Sequence, residues 1–193
     1  MHIISTANFI IKRSNMHSFT TERLLIRPLS EQDKALYISL YTDAKIMRNI
    51  GEPLSIPAAE KAFARVIKAM SQKQPKVITW AIITLDSHEI IGLQALNWQS
   101  PDIAEIGIML LRHSNGRLLP EEAIGSIIEY GFNHLALQQI NACFAKKNLA
   151  TARVAKKTGF LFDSLKQPVD TLQRVDYVYK QSWHRHYIET IIG

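Results

Sequence analysis

Apolar positions change period along this chain, and each change marks an element. Glu22 to Leu29 alternates in polarity, Leu24 and Ile26 against Leu25 and Arg27, which predicts a strand closed by Pro28. Ser30 with Asp33 has the form of an N-cap pair and opens a helix to about Tyr41. A second helix follows Pro57, where Ala59, Phe63, Val66, Ile67 and Met70 recur at helical spacing until Lys73-Gln-Pro-Lys76 breaks it.

The period then shortens. Val77 to Leu85 and Ile90 to Trp98 are rich in Ile, Val, Thr and Trp, and Asp86-Ser-His-Glu89 between them suits a hairpin. A turn at Ser100-Pro-Asp102 leads to a further strand, Ile103 to Leu111, so the region predicts an antiparallel meander. Pro120 to about Leu135 is helical, with Ile124, Ile127, Ile128, Phe132 and Leu135 on one side and Glu121-Glu122 complementing the helix start. Ile140 to Ala145 is a strand with Ile140, Ala142 and Phe144 on one face. Asn148 caps a short helix that ends at Lys156-Lys157, with Gly159 as its stop. Arg174 to Gln181 is the last strand. Without repeats, low-complexity tracts or linkers, residues 16–193 read as one mixed α/β domain. Residues 1–15 read as an N-terminal extension or an upstream-start artefact.

Composition narrows the classes. A chain of 193 residues that is 47% apolar and 21% charged is an ordinary globular protein able to bury one good core. Its net charge of +6 suits acidic ligands or simply a solvated basic surface. No aromatic-interleaved basic repeat or zinc spacing supports a nucleic-acid module, a reading that rests on net charge alone. Cys143 is the sole cysteine, which excludes an intrachain disulfide and fits a cytoplasmic location. No stretch approaches the ~20 apolar residues that span a bilayer. Ser5, Thr6 and Asn8 interrupt the apolar start, and Lys12-Arg13 follow it, unlike a signal peptide.

The chemistry concentrates in Ala104-Glu-Ile-Gly-Ile-Met-Leu-Leu-Arg-His-Ser-Asn-Gly-Arg-Leu-Leu-Pro-Glu-Glu-Ala123, a strand, a short basic turn and a helix N-terminus. Such a turn can set several backbone N–H groups around a phosphate, where the helix dipole also favours negative charge. Glu105-Ile-Gly through Gly116-Arg-Leu and Glu122-Ala123 resembles the acetyl-CoA-binding motif of the GNAT N-acetyltransferases. Within that superfamily it is most similar to the branch of ribosomal-protein N-terminal acetyltransferases and their small-amine-modifying relatives. Thr21-Glu-Arg-Leu-Leu-Ile-Arg-Pro-Leu29 resembles the branch's opening strand, and Asn148-Leu-Ala-Thr-Ala-Arg-Val-Ala-Lys-Lys-Thr-Gly-Phe160 its second signature. Asp176-Tyr-Val-Tyr179 with Trp183 resembles its closing strand.

The resemblance implies an α/β (α+β) fold: a mixed, mostly antiparallel central sheet of six to seven strands, flanked by helices, with splayed central strands. It implies acetyl-CoA as co-substrate and an amine, either a peptide N-terminus or a small molecule, as acceptor. Ile108 to Leu111 would carry the pantetheine arm, with the Met109 or Leu110 amide facing the thioester carbonyl. Asn115, Gly116, Arg117, Leu118 and Leu119 would wrap the pyrophosphate, Asn148 would hold the pantetheine, and Thr151 would lie near the sulfur. The acceptor would meet the helices between Ser30 and Met70 and the loop after Trp98. The family's second small loop residue is Leu118 here, and Pro120 lacks an N–H. Some relatives place a tyrosine acid where this chain has Ala155. These departures motivate the alternative of a catalytically weak or inactive acyl-CoA-binding protein.

Among residues read directly, Glu105 is the base candidate, since a mid-strand carboxylate can take a proton from an ammonium directly or through water. The bland alternative is a strand carboxylate paired with Lys or Arg. Cys143 reads as a packed thiol, and Trp80 and Trp98 as strand packing, with Trp98 placed to edge the acceptor cleft. His184 and His186 lack the further ligands a metal needs, so no metal is expected. Lys146, Lys147, Arg153, Lys156 and Lys157 form a solvated helix end, one or two of them within reach of the CoA 3′-phosphate. A homodimer is expected, and neither nucleic acid nor membrane as partner.

Overall fold

The computed structural model describes residues 16–114, 116–169 and 171–192. The extension at residues 1–15 and the role expected of Asn115 lie outside them.

The opening strand is preceded by a short one, so β1 is Ser18–Thr20 and β2 is Leu24–Pro28. Asp33 closes a capping box with Ser30, and a 3-10 turn over Glu31–Asp33 leads into α1, Lys34–Thr42. Arg27 adds a two-pronged hydrogen bond to the buried Asp33 carboxylate, 2.7 Å on each side. Burial alone would raise that carboxyl, but the Arg27 and Ser30 donors outweigh it and hold it below its ordinary range. A further short helix, α2 (Ala44–Met47), is capped by the Asp43 side chain. Ser55 caps α3, Ile56–Met70, whose Ala59, Phe63 and Met70 are buried.

The predicted meander is present as β3 (Val77–Thr84), β4 (Ile90–Ser100) and β5 (Ile103–Leu110), each antiparallel to the last. Then come α4 (Leu119–His134), β6 (Gln139–Ala145), α5 (Leu149–Lys157), β7 (Leu161–Phe162), β8 (Gln173–Tyr179) and β9 (Thr190–Ile192). One sheet holds all of these strands in the order β7-β8-β6-β5-β4-β3-β2-β1-β9. The described residues thus form nine strands, not six or seven. The additional β1, β7 and β9 are pieces of two or three residues at the two ends of the sheet, too short for any period to register.

The β5–β6 pair is parallel, and only Ile103–Ile106 against Gln139–Ala142 is in register. Beyond it the strands part, as the resemblance implied. Side chains opposite each other across strands share a face, so the two faces can be assigned. Trp80 meets Tyr130 of α4 edge-on at 5.8 Å, which puts Trp80 and its partners Gln94 and Ile108 on the α4 face. Thr79, Ala95, Gly107 and Glu105 fall on the other face, where α1 and α3 pack.

After β8 the chain crosses α4 to reach β1 at the far side of the sheet. Glu129 of α4, buried, accepts the N–H groups of Tyr187 at 2.6 Å and Ile188 at 3.1 Å, which fixes this strap. Gly125 lies directly beneath it, for a Cβ there would sit 2.3 Å from the Tyr187 ring.

Candidate active site

Where β5 and β6 part, a cleft of about 860 Å³ opens through the sheet. On one face it is bounded by Tyr37 and Tyr41 of α1, Val66 of α3 and the segment Arg48–Gly51; on the other by Ile124 of α4, Ala155 of α5 and Phe160. The gap also leaves backbone groups without a strand. Leu111 donates its N–H to the Ile91 carbonyl of β4 at 2.8 Å. Alternate residues of a strand point opposite ways, so the N–H groups of Leu110 and Ile108 aim at the side that β6 has left.

Glu105 lines this cleft, half-buried. It makes no ion pair among the described residues, so the bland pairing with Lys or Arg is absent. Instead Gln99 donates to its Oε2 at 3.1 Å, Asn141 donates to Gln99 at 2.9 Å, and Gln139 donates to Asn141 at 2.7 Å. This chain of amides fixes the carboxylate rotamer. Burial pushes the Glu105 carboxyl above its ordinary value, and the Gln99 hydrogen bond partly opposes that. A carboxylate whose proton affinity is raised in this way is a better proton acceptor than a free one.

Cys143 departs from its expected packing. It lies on the Glu105 face of β6, lines the cleft and contacts the Gln173 side chain at 3.3 Å. Burial, then the Glu105 charge, push its thiol up, which keeps it protonated and poorly nucleophilic. Trp98 also departs. It does not line the cleft, because β4 runs on to Ser100 and Gln99 takes the edge position beside Glu105.

The loop before α4 is strained. Gly116, Arg117 and Leu118 have φ of 118°, 51° and 63°, the left-handed region that only glycine enters freely. The N–H groups of these three residues have no hydrogen-bond partner among the described residues. They stand at a helix N-terminus, the chemistry of an anion site. The Leu119 N–H, by contrast, already bonds the Gly116 carbonyl at 3.1 Å and is not open to a phosphate. Leu118 is 57% exposed, so its side chain lies in solvent instead of filling the loop. A hollow of about 570 Å³ beside the loop is lined by Gly116, Arg117, Leu119, His113, Ser114 and Arg23 among others. The expected cofactor residues are therefore divided. Met109 and Asn148 line the cleft, Gly116, Arg117 and Leu119 line the second hollow, and Leu110, Leu111 and Leu118 line neither with their side chains.

Asn148 and Thr151 both face the cleft, yet Asn148 Oδ1 accepts the Thr151 N–H at 3.2 Å as the α5 cap. Its carboxamide nitrogen is the part left for a ligand. Among the basic cluster, Lys146 donates to the Thr171 carbonyl and Lys157 pairs with Glu121, while Lys146 and Lys147 reach the cleft mouth. His186 leans on Glu129, and no group of three or more metal-ligating side chains occurs among the described residues.

Sequence reasoning missed the Gln99–Asn141–Gln139 relay, whose amides come from three strand positions that only the sheet brings together. It also missed Gln94. This residue is 1% exposed and lines the cleft, and neither its Nε2 nor its Oε1 has a partner among the described residues. An unpartnered buried polar group costs about 1–3 kcal/mol, so a polar side chain amid Ile91, Leu93 and Leu96 was a signal available in the sequence.

A single sheet whose two central parallel strands part over a cleft, followed by a loop with open amides at a helix start, defines the class of α/β domain seen here. Residues 23–161 match the family model for the acetyltransferase (GNAT) domain, and the chain belongs to the GNAT acetyltransferase family. It is 27% identical over 143 residues, 72% of this chain and 80% of the relative, to the uncharacterized N-acetyltransferase YoaA of Bacillus subtilis (strain 168). In fold it resembles spermidine N-acetyltransferase from Vibrio cholerae in complex with CoA and spermine. That match has a TM-score of 0.70 at 20% identity, over 82% of this chain and 96% of the other. It also resembles a ribosomal L7/L12 alpha-N-protein acetyltransferase in complex with coenzyme A, TM-score 0.71 at 14% identity, over 83% and 96%. No helix among the described residues is long and apolar enough to cross a membrane.

Proposed function

We propose that this chain transfers an acetyl group from acetyl-CoA to a primary amine, a protein N-terminus or a small molecule, by direct attack in a ternary complex. The observation that carries this reading is Glu105, a carboxylate without a counter-ion among the described residues, set on the α1 and α3 face of a cleft whose other wall is unpaired β5 backbone. Glu105 takes a proton from the bound ammonium, directly or through water. The freed lone pair attacks the thioester carbon, the C–N bond forms, the C–S bond breaks and the CoA thiolate departs. The inward direction of its N–H favours Leu110 over Met109 as the donor to the developing oxyanion. Gly116, Arg117 and Leu118 supply amides to the pyrophosphate, with Leu119 contributing through its position only. The Asn148 carboxamide nitrogen meets the pantetheine, and Thr151 lies by the sulfur. Holding both substrates at the gap supplies much of the acceleration.

Calorimetric titration with acetyl-CoA and CoA, joined to labelled-acetyl transfer onto a panel of amines and peptides, tests this. Binding with turnover on one acceptor class is the expected result, and Glu105→Gln retaining full turnover at every pH would remove the base. Ala155, buried on the cleft wall where some relatives carry a tyrosine acid, favours a second reading, an acyl-CoA-binding protein with little catalysis. CoA binding with no turnover on any acceptor would support it. A cytoplasmic location and a homodimer go with the first reading; fractionation and sedimentation check them.

A further inference from the structure

On the α4 side of the cleft, the strands present an apolar wall apart from one side chain, while α5 brings Asn148 and Thr151 to its rim. Ile106, Ile108, Ala142 and Phe144 of the parted strands and Ile124 of α4 line it, and Gln94 stands among them. Gln94 is on this face for two independent reasons. Its cross-strand partner Trp80 meets Tyr130 of α4, and Leu96, two residues on, lies 3.5 Å from the Cβ position of Gly131 in α4. Five described residues carry a buried, unpartnered side-chain polar atom: Trp80, Gln94, Trp98, Ser114 and Trp183. Of these, Gln94 is the one that lines the cleft, and both its donor and its acceptor are unused.

The occupant of this wall follows from the direction of attack, if the cleft is the acyl-CoA site proposed above. The amine and Glu105 approach the thioester from the opposite face of the sheet. As the new bond forms, the remaining substituents of the acyl carbon bend away from it, so the acyl chain is directed toward the α4 wall. Gln94 faces Ile108 across the strands, two positions before the Leu110 amide on β5. Strand residues rise about 3.3 Å each, so only a few carbons separate a thioester at Leu110 from the Gln94 carboxamide. An acetyl group has nothing with which to satisfy that carboxamide. A carboxylate would need a cation, and the cleft's cations stand elsewhere: Lys146 and Lys147 follow the end of β6, and Arg48 borders the opposite face. A hydroxyl fits both needs at once, donating to Oε1 and accepting from Nε2.

We propose that Gln94 reads the acyl donor, and that the chain prefers a short hydroxyacyl thioester of CoA to the equally long unsubstituted one. The transfer is otherwise unchanged: the C–N bond forms, the C–S bond breaks, and the hydroxyl takes no part in the chemistry.

The test compares 3-hydroxybutyryl-CoA, butyryl-CoA and acetyl-CoA with the intact chain, by calorimetric binding without acceptor and by kcat/KM with an accepted amine. A site that hydrogen-bonds a hydroxyl discriminates strongly against the analogue lacking it, so wild type is expected to favour 3-hydroxybutyryl-CoA over butyryl-CoA by about tenfold or more. Gln94→Leu is expected to abolish or invert that ratio. Equal or better use of butyryl-CoA by the wild type, or an unchanged ratio in the variant, overturns the proposal and means that a fixed water satisfies Gln94. The wild-type binding ratio decides the matter even where the variant does not fold. Acetyl-CoA turnover with butyryl-CoA preferred sinks this inference alone, whereas no binding of any CoA thioester sinks the acyl-CoA reading as well.

Discussion

Arg23 Nη2 lies 2.5 Å from Glu122 Oε2, and this contact couples the start of β2 to the loop before α4. Glu122 is buried, and its other oxygen accepts the Thr21 hydroxyl at 2.6 Å and the Arg23 N–H at 2.9 Å. The same guanidinium donates to the Arg117 carbonyl at 2.6 Å, inside the strained loop. Glu122→Ala is expected to destabilise the fold by about 2–4 kcal/mol in urea unfolding, because it strands buried donors. Arg23→Met, which removes a partly exposed partner, loses less stability but frees the Arg117 carbonyl. A fall in CoA affinity several times larger than its stability loss predicts is the expected calorimetric result.

The pH profile reports on Glu105. Its carboxyl is raised by burial, so with Glu105 as the proposed base the acid limb of kcat/KM is expected above the ordinary glutamate range, with activity rising with pH as that carboxyl ionises. Gln99 donates to the ionised form and lowers the value, so Gln99→Leu moves the limb further up in pH while the plateau rate survives. A limb that stays in place would show that the relay positions nothing.

Leu118 occupies a left-handed position that disfavours any side chain by about 1–2 kcal/mol. Leu118→Gly removes that strain, although glycine's extra freedom in the unfolded chain offsets roughly 0.5–1 kcal/mol of the gain. Stability is therefore expected to change little, with CoA binding tighter as the amide loop becomes easier to close on phosphate. Weaker CoA binding would mean that the exposed leucine itself contacts the ligand.

The strap across α4 depends on a missing side chain. Gly125→Ala improves helix propensity by about 1 kcal/mol but drives a methyl into the Tyr187 ring, and overpacking of this kind costs about 1–3 kcal/mol. Net destabilisation in thermal melts is expected. Adding Tyr187→Ala should relieve the clash, so the double variant should lose less than the sum of the two single changes.

The long elements were legible because each carries its own period. The meander from Val77 to Leu110, α3, α4 and the Asn148-capped α5 all lie within a residue or two of where the pattern put them. The edge strands were not, since a two-residue strand such as Leu161–Phe162 has no period and is defined by its partner. Cys143 shows the same limit within a legible strand: its place in β6 was right, but which face borders a cavity depends on where β5 departs.

The sequence by itself determined the order of elements, the caps and the motif that carries the family resemblance, because helix and strand periods and capping are local chemistry. Only the tertiary structure decided that Glu105 has amides for neighbours and no cation, that Leu119 has already committed its N–H, and that Gln94 faces the cleft unpartnered. Those facts depend on distances between residues far apart in the chain, and a sequence pattern fixes which face a side chain takes without fixing what stands opposite it.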